Sequence, residues 1–195
     1  MQKFVYKGKT YIKIKQDWYS EIGEKQPLKM AVTLDAEFNA KLIENEQSIV
    51  NLLDQTRHFL GIGSTKRAHA TVMEALSLAS KKEEQTQFLP NVIVMYVQVI
   101  KALEQYEEGI TTVEEILKQE VDLRGNAQVL TALASLYVEI KQANTAIDLA
   151  HHALIAFRKS KRKVSDELMI VWGQLKKHFP DEYKDYRDRL KQSGK

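Results

Sequence analysis

Residues 126–157 read NAQVLTALASLYVEIKQANTAIDLAHHALIAF. Their apolar residues recur at helical spacing in two runs. Leu130, Leu133, Ala134 and Tyr137 share one face of a first helix, and Ala146, Ala150 and Ala153 share one face of a second. A break over Lys141–Asn144 separates the runs. Alanines spaced by three and four residues let another helix backbone come close, while the larger residues fill the space opposite. Such a pair cannot bury its apolar faces alone, so it is expected to stack on further pairs.

The pattern recurs upstream. Ile93, Tyr96, Val97 and Ile100 match the large positions and Gly109, Val113 and Ile116 the small ones, both at an offset of 37 residues. Leu52, Thr56 and Phe59, followed by Ala68, Val72 and Ala75, form an earlier copy offset by 41. A partial copy, Leu168, Val171, Trp172 and Leu175, lies 38 residues beyond the Leu130 set. One offset shared by both helices of a pair points to a repeated unit. The competing reading is an ordinary antiparallel helical bundle.

These residues resemble the tetratricopeptide repeat, a helix–turn–helix unit of about 34 residues. The best copy carries Leu130, Leu133, Ala134, Tyr137, Ala146, Ala150 and Ala153 at the family's signature positions. It departs from the family at Lys141, where a turn glycine is usual, and at Arg158, where a proline closes the unit. The middle copy has Glu104 at the turn and Gly109 where alanine is usual, whereas the first copy keeps Gly63. The resemblance implies a mainly α fold: a solenoid of about three helical hairpins with C-terminal capping helices, over residues 34–195. Residues 1–33 form a basic N-terminal β-hairpin extension.

That extension is read directly from the residues. KFVYKGKTYIKIK at 3–15 alternates aromatic or β-branched residues with lysine around Gly8, the pattern of a hairpin with a tight turn. Leu28–Thr33 is expected to add a third strand. Thr33 or Asp35 then caps a helix running to Leu60, since a short side-chain oxygen accepts from the free N–H groups of a helix start. Gly61 and Gly63 end that helix, and Ser64 or Thr65 caps the next, to about Lys82. After a polar connection over Glu83–Leu89, Pro90 opens a helix to about Leu103, and another covers Tyr106–Glu120. Asn126 starts the pair already described, which ends near Lys159. Ser165, followed by Asp166 and Glu167, starts the next helix, because acids in a first turn suit the helix dipole. Pro180 starts a short terminal helix.

The chain has 195 residues, no cysteine and a net charge of +3. Disulfides and cysteine-ligated metals are therefore excluded, and a cytoplasmic location is expected. The start lacks the apolar run of a secretory signal, and Val92–Ile100 is too short to span a bilayer. Charge is uneven. Residues 1–30 hold seven lysines against three acids, and residues 157–195 hold twelve basic residues against six acids. Two basic ends thus flank an acidic middle.

Signs of catalysis are weak. GIGSTK at 61–66 lacks the spacing of a phosphate loop and follows a helical pattern rather than a strand. His58, His69, His151, His152 and His178 include no i, i+4 pair. Glu83-Glu84, Glu107-Glu108 and Glu114-Glu115 are neighbours in sequence, whereas carboxylate catalysis needs two groups facing across a cleft. The expectation is a non-enzymatic protein with no catalytic residue, no cofactor and no metal.

The resemblance implies a partner groove lined by the first helix of each pair. Carried over, the positions are Leu53 and Arg57; Asn91, Val94, Gln98 and Lys101; Gln128, Thr131, Ser135, Val138 and Glu139; and Met169, Gly173, Lys176 and Lys177. Polar side chains there can bond the backbone of an extended peptide. Leu53 and Ala132 stand where some family members place the Lys and Arg of a carboxylate clamp, which disfavours that kind of ligand. The expected partner is a protein or peptide segment. Two alternatives are a scaffold that self-associates through its hairpin or its C-terminal helices, and a nucleic-acid-associated protein. The last would use anion contacts at Lys159, Lys161, Arg162 and Lys163, which supply affinity without sequence readout.

Overall fold

The computed structural model describes residues 2–80 and 87–192. The chain begins with the expected hairpin. β1 (Gln2–Tyr6) pairs antiparallel with β2 (Lys9–Ile14), with Phe4 opposite Tyr11. Lys7 and Gly8 close it, both at positive φ (48° and 74°). That backbone matches the twist of a two-residue hairpin, and glycine adopts it without steric cost.

The third strand is not Leu28–Thr33. β3 is Asp17–Ser20, paired antiparallel with β2. The order β1-β2-β3 is a simple meander. Gln26 N–H then donates to the Trp18 carbonyl, and Lys25 bridges to Tyr19, which covers the outer edge of β3. Leu28–Thr33 instead forms the first turns of α1 (Leu28–Gly61), which starts directly after Pro27. Proline cannot donate to a preceding turn and holds a suitable φ, so it suits a helix start. Neither Thr33 nor Asp35 is a cap. The helix therefore crosses the boundary expected at residue 33.

Seven further α-helices follow among the described residues: α2 (Thr65–Ala79), α3 (Leu89–Leu103), α4 (Tyr106–Gln119), α5 (Ala127–Glu139), α6 (Ala143–Lys159), α7 (Asp166–His178) and α8 (Pro180–Gln192). A 3-10 turn at Val121–Gly125 links α4 to α5. The Glu83-Glu84 pair and the start of the polar connection before α3 lie outside the described residues. Asn126 caps α5 by accepting from the N–H groups of Gln128 and Val129, and Ser165 caps α7 by accepting from Leu168 N–H. Ser64 occupies the cap position of α2 but its hydroxyl makes no capping bond.

The turns between paired helices share one geometry. Gly63, Glu104 and Lys141 all adopt left-handed φ, at 72°, 59° and 60°. Each donates its N–H three residues back, and the next N–H reaches five residues back: Ser64 to Phe59, Gln105 to Ile100, Gln142 to Tyr137. This pair of bonds satisfies carbonyls that a helix end leaves open. The three positions are 41 and 37 residues apart, the offsets of the apolar pattern. Lys161 repeats the geometry after α6.

Each helix packs on the next in sequence, and α1, α3, α5 and α7 also touch in series. Their shared core runs from Ile49 to Leu175 and includes Val72, Ile93, Ile100, Leu136, Ala146, Ile147 and Ala150. A separate core of Phe4, Tyr11, Trp18, Leu34 and Phe38 lies between the sheet and the first turns of α1. The chain is thus mainly helical with a small antiparallel sheet at its N-terminus.

Gly109 illustrates how closely the pairs approach. A methyl group placed there would lie 2.6 Å from Ile100 Cγ2 and 3.2 Å from Leu136 Cδ1. α4 sits too near α3 and α5 at this point to admit a side chain without a shift of Ile100.

Candidate functional site

A cleft of about 250 Å³ opens between α3, α5 and α7. Val94, Val97, Gln98 and Lys101 come from α3, and Gln128, Thr131, Ala132 and Ser135 from α5. Ser165 and the α7 residues Glu167, Ile170, Val171 and Gln174 complete it. The volume lies below the roughly 300–1,000 Å³ of most small-molecule pockets. Its floor is aliphatic and its walls carry amides and hydroxyls.

Of the expected groove residues, Val94, Gln98, Lys101, Gln128, Thr131 and Ser135 meet here. Glu139 stands beside the cleft and accepts from Lys101 Nζ at 3.1 Å, a half-buried pair joining the ends of α3 and α5. The others do not gather. Arg57 is exposed and pairs with Asp54 on its own helix. Asn91 is exposed, and Lys176 lies in the exposed last turn of α7. Leu53 and Val138 are buried in the core instead of facing a groove.

On α7 the expected Met169 and Gly173 are displaced by one residue from those that line the cleft. An offset of 39 from α5 maps Gln128, Thr131, Ala132 and Ser135 onto Glu167, Ile170, Val171 and Gln174. The same offset maps the buried Val129 and Leu136 onto the buried Leu168 and Leu175. The register is thus one residue beyond the offset of 38 that matches Leu168, Val171, Trp172 and Leu175 to the Leu130 set, and Trp172 does not face the cleft. That ring is engaged elsewhere, stacked on Tyr186 with centroids 5.4 Å apart and edge-on to Tyr183. Its half-buried position closes α8 against α7.

The hydrogen bonding of the cleft is one-sided. The Thr131 hydroxyl donates to the Ala127 carbonyl and the Ser135 hydroxyl to the Ala132 carbonyl, each at 2.7 Å. Both hydroxyls have thereby committed their protons and remain as acceptors on the lining. Gln174 Oε1 is buried and has no hydrogen-bond partner. No lysine or arginine pairs with Glu167 among the described residues.

On the far side of α5, Tyr137 donates to the Glu114 carboxylate on α4. Burial, followed by that hydrogen bond, pushes the phenol up to about 12. Tyr96 donates to Thr112 at 3.1 Å and ties α3 to α4. Both phenols sit in the structural seam, away from the cleft.

Lys159, Lys161, Arg162 and Lys163 are exposed around the turn after α6. Arg162 lies over a shallow depression beside Asn126 and Phe157. Among the described residues no group of three or more His, Asp or Glu is placed to hold a metal ion, and no helix is long and apolar enough to cross a membrane. The chain matches no protein-family model and is significantly similar to no curated protein.

Proposed function

We propose that this chain is a tetratricopeptide-like helical-repeat module that holds an extended protein segment in the cleft between α3, α5 and α7. The observation that carries the reading is the lining of that cleft: α3, α5 and α7 together contribute amides, hydroxyls and short aliphatic groups, from equivalent positions on α5 and α7. Amide side chains bond a peptide backbone without demanding one sequence, while the aliphatic floor takes alternate side chains. The recurring left-handed turns and the neighbour-to-neighbour packing support the solenoid architecture on which such a surface depends.

The test is capture of a defined partner by full-length protein against the double variant Gln98→Ala, Gln128→Ala. Loss of capture with unchanged circular dichroism supports the reading, and retention by the variant overturns it.

Self-association is a second reading, favoured by one observation. The outer face of the sheet leaves Val5 60% and Ile14 46% exposed, and β1 has a free edge. Light scattering over a concentration series tests it, and a monomer throughout removes it.

A further inference from the structure

We infer that the occupant of the α3–α5–α7 cleft is a basic extended segment, with a short aliphatic side chain on the cleft floor and a lysine or arginine beside it. This rests on the groove reading above and narrows it to one ligand chemistry.

Two features of the cleft call for an extended backbone, and a third sets its charge. The first is Gln174 Oε1, buried without a donor. A buried acceptor left unpaired is costly, and the N–H of an incoming backbone removes that cost. Exchanging the amide oxygen and nitrogen would leave a donor there instead, which a peptide carbonyl answers equally; an extended backbone serves both. The second is the state of Thr131 and Ser135. Their protons are committed to Ala127 and Ala132, so they too present acceptors to the occupant. The third is charge. Lys101 is paired with Glu139 at 3.1 Å, which leaves Glu167, in the first turn of α7, as the charged residue of the lining with no ion-pair partner among the described residues. An acidic segment would meet the Glu167 carboxylate, and the one lysine of the lining, Lys101, is already paired. A basic segment meets the complementary charge of Glu167, and such complementarity sets partner choice more than raw affinity. The protein's own net charge of +3 works against nonspecific capture of basic peptides, so binding of one reports the local field.

The experiment uses three fluorescein-labelled ten-residue peptides of Val and Ala, carrying either Lys, Glu or Ser at the same positions. Binding to the full chain is followed by anisotropy at low and moderate salt, and located by backbone amide shifts. The Lys peptide is expected to bind about tenfold more tightly than the Glu peptide, with shifts on α3, α5 and α7, and Glu167→Lys is expected to remove that preference. Gln174→Leu is expected to weaken the Lys peptide while raising the melting temperature of the free protein. A purely structural glutamine would not couple those two effects. If the Glu or Ser peptide shifts the same residues with equal or better affinity, or if Glu167→Lys changes nothing, the basic-segment inference fails and the groove reading stands. If no peptide shifts the cleft residues, both fail.

Discussion

The molecule has two cores built on opposite principles. The N-terminal one is small and aromatic. Phe4, Trp18 and Phe38 meet with centroids 5.6–6.1 Å apart, two of the three pairs edge-on. Its polar anchor is Asp35, which accepts from Lys13 and, at 3.0 Å, from the Trp18 indole N–H. The helical core is long and aliphatic, with alanines and Gly109 at the closest approaches. A small sheet with one covering helix has little area to bury, so it needs large rings with directional contacts. A stack of helices gains from repetition, and needs small residues that let each layer settle on the last. One helix joins the two. α1 contributes Leu34 and Phe38 to the first core and Ile49, Leu53 and Thr56 to the second, with no buried residue between Phe38 and Ile49.

That contrast can be broken from either side. The largest effect is expected from Trp18→Ala, which removes the most buried ring of the small core and costs about 3–5 kcal/mol. Limited proteolysis should then cut within residues 2–38, while the urea midpoint of the helical signal stays unchanged. Simultaneous loss of both would show that α1 couples the cores into one cooperative unit. In the helical core, Gly109→Ala is expected to destabilise by about 1–3 kcal/mol, because the β-branched Ile100 cannot swing its Cγ2 aside. The gain in helix propensity, at most about 1 kcal/mol, does not offset it. A higher midpoint for this variant would refute the close approach of α4.

Asn126→Ala should cost about 1 kcal/mol by freeing the N–H groups of Gln128 and Val129. Its effect should appear in the helical transition alone. The smallest effect is expected from acid. The Lys13 hydrogen bond, followed by that from Trp18, holds the Asp35 carboxyl below the ordinary carboxylate value. A depressed folded-state value means the contribution is complete above the unfolded value and is lost as pH falls through the folded one. Trp18 fluorescence in a Trp172→Phe background should therefore change on acidification below about pH 4, and Asp35→Asn should abolish that change.

The two cores were also unequally legible. Helix pairs announced themselves because each apolar face repeats, so one misread residue is outvoted by its counterparts. Pro90, Asn126, Ser165 and Pro180 marked helix starts that hold in the structure. The sheet offered no second copy. Its third strand, DWYS, is four residues long and does not alternate cleanly, whereas Leu28–Thr33 looked strand-like yet sits directly after a helix-starting proline. Asp35 suits a cap by residue type but is instead the partner of Lys13 and Trp18, a relation across about twenty residues that no local pattern encodes.

Periodicity and turn chemistry settled where most of the helices run, since both follow from spacing within a few residues; the start of α1 and the face of α7 needed the structure. The left-handed turns at Glu104 and Lys141 were not signalled by residue type, because only Gly63 takes that φ without steric cost, whereas at the other two it accompanies the paired backbone bonds that close the helix end. The cleft likewise depended on assembly. Three helices far apart in the chain had to be stacked before Gln174 lost its water, Lys101 found Glu139, and Glu167 was left facing the opening. Desolvation and pairing are properties of neighbours in space, and sequence spacing reports neighbours only along one helix.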